Sequence, residues 1–290
     1  MSKIDIRLLD TPEEMAAVEE LERLVWPGDE TEIVPIHMLR AVTNNGGVLI
    51  GAYEGDQLVG FVFGFPGIEE TSAGPRPKHA SHMAGIHPDY RDRGLGFSLK
   101  RAQWQIVRSQ GLDHINWTYD PLQSRNAYLN IAKLGAICNI YIPEYYGEMR
   151  DSLNVGLPSD RFKVDWWLNT PRVEKRLNQE KRHRLDLAHF TSAGAVIVNP
   201  ANIREDSLIE PFQDSPSLPA SPAPLLLVEI HPDFQALKAA SPDLALAWRL
   251  HTRDIFQALF TNGYIVTDFI FEPGSQPRSF YILSHGESTL

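Results

Sequence analysis

The chain has 290 residues, 43% hydrophobic and 22% charged, with 20 glycines and 21 prolines, which excludes disordered, collagen-like and coiled-coil readings and leaves room for one large or two small cores. Lys and Arg number 27 against 37 Asp and Glu, a net charge of −10 that repels nucleic acid and anionic bilayers over most of the surface. The one cysteine, Cys138, excludes an internal disulfide or a thiolate-built metal centre, and no apolar window is long enough for a membrane span, so the expectation is a cytoplasmic chain with no metal and no membrane or nucleic-acid partner.

Ile4, Ile6 and Leu8 alternate with polar residues as a strand does. Thr11-Pro12-Glu13-Glu14 then offers an N-cap, a proline at the first helical position and a capping-box acid. Met15, Val18, Leu21 and Val25 form an apolar stripe until Trp26-Pro27-Gly28 stops the helix. A second short helix is expected over 36–42. VLIGAY and QLVGFVFGF read as a hairpin around Glu54-Gly55-Asp56. A Gly/Pro-rich loop through Pro75 and Pro77 follows, with His79 in it. The pattern then reads strand over 79–87, helix over 94–110, strand over 114–119, helix over 124–134, and strands over 137–142 and 162–168.

Beyond Thr170 the run PRVEKRLNQEKRHRL reads as a solvated helix face, followed by a strand-like AVIV. The Pro/Ser-rich segment 211–224 cannot hold ladder hydrogen bonds and reads as a surface loop. The last block reads strand 225–230, helix 242–260 and strands 264–271 and 280–284. On the helix, Trp248, Thr252 and Phe256 share one face and Arg249 and Arg253 the next, an amphipathic pattern that packs and can present arginines to a cleft. Ile86-His87-Pro88-Asp89-Tyr90 recurs as Ile230-His231-Pro232-Asp233-Phe234, each between an apolar strand and a helix. A diverged duplication is the expectation. The first copy continues Arg91-Asp92-Arg93-Gly94-Leu95-Gly96, the second Gln235-Ala236-Leu237-Lys238-Ala239-Ala240 without glycine.

Glycines between a strand and a helix serve either close helix–sheet packing or the approach of an anion to a helix N-terminus. Arg91, Arg93, Lys100 and Arg101 make a positive island here, opposed by Asp89 and Asp92. The segment IHPDYRDRGLGFSLKRA resembles the pyrophosphate-binding motif of the GNAT acyltransferase superfamily, and Lys133-Leu134-Gly135 resembles its K-L-G signature. The resemblance covers residues 1–170. It implies an α/β fold, a GNAT-like mixed sheet flanked by helices, with residues 1–170 as the acyl-CoA-binding domain. Residues 171–290 are expected to form a second, smaller degenerate GNAT-like lobe that has lost the phosphate loop and does not bind CoA.

The resemblance further implies an N-acyltransferase that moves an acetyl or other short acyl group directly from acetyl-CoA or a related acyl-CoA to the amine of a small molecule, possible amino acids included. A non-catalytic CoA-binding or scaffolding module of the same fold is the alternative, and oligomerisation stays open. The backbone N–H groups of Arg91, Asp92, Arg93, Gly94, Leu95, Gly96 and Phe97 are implied to form the pyrophosphate cradle, with those of 92–97 holding the anion. Ala84, Gly85 and Ile86 are implied to pair with the pantetheine amides, although Gly85 also fits a β-bulge. Ser124 and Asn126 are candidate cofactor contacts. His82, nine positions before Arg91, matches the proton-removing histidine of the arylalkylamine branch, and strand alternation puts Ala84 and Ile86 on its face. The family's fifth-strand glutamate is replaced by Tyr119 and its usual acid by Ile131, which leaves Tyr128, one turn earlier, as the candidate acid. Tyr141, Tyr145 and Tyr146 offer an aromatic wall, Asp160-Arg161 an arginine for a carboxylate, and Cys138 belongs to the core.

Overall fold

In a computed structural model, residues 3–28, 30–149, 155–178, 185–206, 208–212 and 223–285 are described. The chain divides into two compact units, the first of residues 3–117, 155 and 166–169, the second of 118–149, 156–165 and 170 onward. The expected boundary lay near residue 170. Residues 118–149 and 156–165 instead join the later chain, because Cys138 pairs with Val266, Ser124 bonds to Ser279 and Asp120 is forked by Arg249.

In the first unit, β1 (Ile4–Leu8) leads to α1 (Pro12–Val25), whose start carries the expected capping box: the Glu14 N–H donates to Thr11 Oγ1, and the Thr11 N–H donates to a Glu14 carboxylate oxygen. Then come α2 (Ile36–Thr43), β2 (Val48–Glu54), β3 (Gln57–Thr71), β4 (Gly74–Ile86), α3 (Leu95–Ser109) and β5 (His114–Tyr119). Strands β1 to β4 are antiparallel neighbours in chain order, and β5 lies parallel to β4. Met15, Val18, Leu21 and Val25 pack with Leu49, Phe61 and Phe63 on one face of the sheet. Each such side chain contributes about 1.5–3 kcal/mol when fully buried. The other face meets α3, where Leu99 and Ile86 crowd Gly60.

The Gly/Pro-rich segment is strand rather than loop. Pro75 and Pro77 lie in β4 opposite Glu70 and Ile68, and the hairpin closes at Thr71 and Gly74. The partnering of β4 with β5 begins only at His79, so the edge on which a proline would fail to donate has no ladder to disrupt there. His79, expected in the loop, is a fully buried strand residue.

In the second unit, α4 (Ser124–Ala127) runs into a π-helical turn (Tyr128–Lys133), a wider winding than the single helix expected over 124–134. Strands β6 (Ile137–Ile142) and β7 (Arg161–Trp167, as far as Asp165 in this unit), helices α5 (Pro171–Asn178) and α6 (Leu187–Ser192), β8 (Val196–Ile197), the short pair β9 (Asn202–Ile203) and β10 (Ile209–Glu210), β11 (Leu225–Ile230), α7 (Phe234–Ala240), α8 (Pro242–Thr261), β12 (Tyr264–Glu272) and β13 (Arg278–His285) follow. The strand order is β7-β6-β12-β13-β11-β8. In the described part of the charged run Lys175 is exposed as a solvated face requires, but the two arginines of α5 are engaged: Arg172 donates to the Gly135 and Thr267 carbonyls, and Arg176 to the Ile131 and Ala132 carbonyls and to Asp268. Residues 179–184 of that run, and 213–222 of the Pro/Ser-rich 211–224 segment, lie outside the described residues.

The strands that carry the repeated motif are also paired differently. β4 pairs directly with β5 across its helix, whereas β13 stands between β11 and β12 and is antiparallel to both. Among the described residues, no helix is long and apolar enough to cross a membrane.

Candidate functional site

At the end of β4 the chain enters a turn held by His87, whose Nδ1 accepts the Asp89 N–H at 3.2 Å. Arg93 donates to the Asp89 carbonyl at 2.8 Å and lies over the Tyr90 ring, while the Tyr90 hydroxyl donates to Glu54 at 2.6 Å. Asp92 and Gly94 then take left-handed conformations, φ 64° and 80°. The helix α3 starts from Gly94 with no side-chain cap. Its first N–H groups, those of Leu95, Gly96 and Phe97, therefore have no partner from an N-cap side chain and sit at the positive end of a 15-residue dipole. Arg91, Asp92, Arg93 and Gly94 are exposed, and a Cβ placed on Gly94 would meet no protein atom within 4 Å. Open space before an uncapped helix start, with arginines on its rim, fits a pyrophosphate. Leu95 is buried and anchors the turn. Lys100, expected in the positive island, points inward and is buried, so the island keeps Arg91, Arg93 and Arg101 only.

The parallel pairing of β4 with β5 is confined to His79 with Ile115 and Ala80 with Asn116. Beyond it the strands part. Ala84, Gly85 and Ile86 pair with Val62, Phe61 and Gly60 of β3, and their other edge is turned to the fork. Gly85 is not at a bulge, and the core side of the strand explains its missing side chain. A Cβ there would stand 2.7 Å from the Phe61 ring and 3.3 Å from Trp26, so the missing side chain makes room for the aromatic core under α1.

The bulge is at His82. Phe63 of β3 opposes Met83 and the next residue, Gly64, opposes Ser81, so His82 has no partner on β3. This rotates the imidazole away from the face expected for it. Its ring lies 6.2 Å from Phe63 and 6.0 Å from Phe65, on the side where Met83 packs, whereas Ile86 reaches the α3 side. His82 has an exposed surface, yet desolvation by its packed surroundings lowers its pKa below the ordinary imidazole value.

The remaining candidates belong to the second unit. The Ser124 hydroxyl is engaged with Ser279 Oγ at 2.7 Å, and Asn126 is exposed on α4. Tyr128 is half-buried at the start of the π turn with the Lys133 ammonium over its ring. Tyr119 is buried, its hydroxyl 3.1 Å from that of Tyr281, and burial pushes its pKa well up. Ile131 and Cys138 are fully buried core residues. The three loop tyrosines separate: Tyr141 is buried and donates to Asp160 at 2.6 Å, while Tyr145 and Tyr146 are exposed and in edge contact. The arginines expected to be on offer are engaged. Arg161 is buried under Met149 and the Tyr146 ring, Arg253 forks Asp160, and Arg249 forks Asp120 at 2.8 and 2.6 Å. Burial alone would raise Asp120, but the Arg249 guanidinium holds its carboxyl below the ordinary value.

The sequence reading also missed a buried polar group formed by His79, Ser81, Lys100 and Gln103. Its only sequence signal was the polar pair Lys100 and Gln103 on the same helix face as Leu99 and Val107. Among the described residues, no group of three or more His, Cys, Asp and Glu side chains could hold a metal ion.

Residues 15–132 match the model of the acetyltransferase (GNAT) family. Among solved structures, the chain is similar to aminoglycoside 6'-acetyltransferase type Ii, with 21% identity over 57% of this chain and 98% of that one and a TM-score of 0.45. It is similar also to Arabidopsis thaliana NAA60 in complex with acetyl-CoA, with 14% identity over 57% of this chain and 99% of that one, TM-score 0.45. The ribosomal-protein-S18-alanine N-acetyltransferase of Escherichia coli shows 12% identity over 63% and 100%, TM-score 0.44. No curated protein matches the chain.

Proposed function

We propose, from the place of residues 15–132 in the GNAT acetyltransferase family, that this chain is an N-acyltransferase taking an acetyl or related short acyl group from acyl-CoA to the amine of a small molecule, amino acids included. The observation that carries this reading is the left-handed, glycine-opened and uncapped start of α3 at the end of a strand edge that β5 leaves free. The backbone N–H groups of 92–97 hold the pyrophosphate with Arg91 and Arg93 at its rim, and the free edge of Ala84, Gly85 and Ile86 receives the pantetheine amides. Acyl-CoA supplies the activated carbonyl. His82, kept neutral by its lowered pKa, accepts the proton of the incoming ammonium, so that the amine can attack as the C–S bond breaks. In the second unit Ser124 is engaged with Ser279, which leaves exposed Asn126 and half-buried Tyr128 as that unit's candidates for a cofactor contact and an acid.

A CoA-binding module without catalysis is favoured by one pair of facts: the fifth-strand position holds a buried, hydrogen-bonded Tyr119, and Ile131 has no acid to offer. A panel of small amines with acetyl-CoA, followed by thiol release and by mass of the product, separates the two. Turnover on any amine supports transfer; CoA binding with no thiol release on the whole panel supports the module.

A further inference from the structure

At the point where β4 and β5 part lies the polar group that the proposed reaction leaves unused. Lys100 reaches inward from α3 and is 4% exposed. Its Nζ donates to Ser81 Oγ of β4 at 2.7 Å and to Gln103 Oε1 at 3.2 Å, and stands 3.9 Å from the centre of the Trp117 ring on β5. Ser81 donates to the same amide oxygen at 3.1 Å. With its oxygen fixed by two donors, Gln103 turns its Nε2 to His79 Nε2 at 3.2 Å. His79 must accept there, so its own proton is on Nδ1, an atom buried without a partner. Gly64 makes room for this contact, since a Cβ on it would stand 2.3 Å from His79 Nε2.

Lys100 forms no salt bridge with any carboxylate among the described residues. From β4 it meets Ser81 and the neutral His79, from its own helix Gln103, and from β5 Trp117. Burial lowers its pKa to about 7; burial first and the Lys100 charge second take His79 to about 3. An ammonium held by neutral dipoles alone costs stability that an apolar side chain of similar length would not. Such groups concentrate where a fold carries function.

We propose that Lys100 is a positioning residue for the thioester end of acyl-CoA: its ammonium ties Ser81 of β4, Gln103 of α3 and the Trp117 ring of β5 at the fork, and so fixes the gap along which Ala84, Gly85 and Ile86 present their edge. The inference rests on acyl-CoA being the co-substrate. Losing the proton removes one donor and the cation over Trp117, so the tie loosens as pH rises through neutrality.

The test is calorimetric titration with CoA and steady-state kinetics with acetyl-CoA, from about pH 6 to about pH 9, on the wild type, Lys100→Met and Lys100→Arg. In the wild type, Kd for CoA and KM for acetyl-CoA rise about tenfold across the range with a smaller change in kcat. Lys100→Met is weak and lacks that limb, and Lys100→Arg binds tightly and lacks it too; the phosphates of CoA titrate alike in all three. Should the arginine variant not fold, Lys100→Gln stands in, with the weak, flat profile of the methionine variant. Lys100→Met melts no lower than wild type at pH 6, which separates the loss of affinity from unfolding. The same pH profile in wild type and Lys100→Met overturns the inference and leaves the functional reading intact. No CoA binding by the wild type at any pH overturns both.

Discussion

The two copies of the Ile-His-Pro-Asp segment begin alike and end as opposites. In each, the histidine Nδ1 accepts the N–H of the aspartate two residues on, at 3.2 Å for His87 and 3.1 Å for His231. Asp233 then turns its own carboxylate to the Ala236 N–H at 3.0 Å and starts α7 at once, a helix start closed by a side chain. Asp89 stays exposed, and five more residues bring the chain through left-handed Asp92 and Gly94 to an α3 with no side-chain cap. The strands that feed the two loops differ in the same sense. His82 bulges out of β4, whose far edge is free beyond Ala80; its counterpart in the repeat, Leu226, is fully buried and paired on both sides, with Leu283 and Val196. What the motif shares is a turn. The anion cradle proposed for the first copy rests on the run Arg91 to Gly96 and on the edge of β4 left unpaired beyond Ala80.

The comparison breaks most readily at Gly94. Gly94→Val forces a β-branched residue to φ 80° and is expected to weaken CoA binding by about a hundredfold or more, read by calorimetry on a protein whose circular dichroism is unchanged. Retained affinity would mean that the loop is not the anion cradle. His82→Ala is expected to lower kcat by roughly a hundredfold, with KM for acetyl-CoA little changed and the rate partly restored at high pH, where the amine is already deprotonated. Because desolvation lowers the His82 pKa, the neutral base persists to lower pH, and the acid limb of the wild-type kcat/KM profile should fall below the ordinary imidazole value near 6.5. Wild-type turnover by His82→Ala across that range assigns proton removal elsewhere.

The paired variants His87→Ala and His231→Ala sharpen the contrast. Each should lose about 1 kcal/mol of stability in urea titrations, the usual worth of one such bond, while only His87→Ala weakens CoA. Equal loss of CoA affinity in both would give the second loop a binding role. Asp233→Ala, the smallest effect, removes the α7 cap for about 1 kcal/mol and should leave CoA affinity untouched. A last measurement concerns Lys100. Between its folded pKa of about 7 and the unfolded value near 10.4, the unfolded chain holds a proton that the folded chain has released, so stability should rise with pH over that window in wild type and less in Lys100→Met.

Local chemistry determined much of this protein in advance. The capping box at Thr11 and Glu14, the stripe Met15 to Val25, the apolar runs of β2, β5, β6 and β11, and the glycine-rich opening of α3 all depend on neighbours within a few residues, so the sequence displays them directly. What escaped was decided by pairing between distant segments. Residue spacing cannot show that β3 opposes two residues of β4 with one, which turned His82 to the Phe63 side. Nor can it show that Pro75 and Pro77 lie where no second strand reaches them. The arginines of the second unit read as free charges because Asp120 and Asp160 are more than ninety residues away along the chain. Lys100 read as one more cation at a phosphate loop because helix periodicity gives its face, while only the closed fold places Ser81, Gln103 and Trp117 around its ammonium. Sequence alone determined which groups this protein has available; the long-range register of its strands decided which of them are neutralised, buried or left open to a ligand, because Coulombic pairing and burial act across space rather than along the chain.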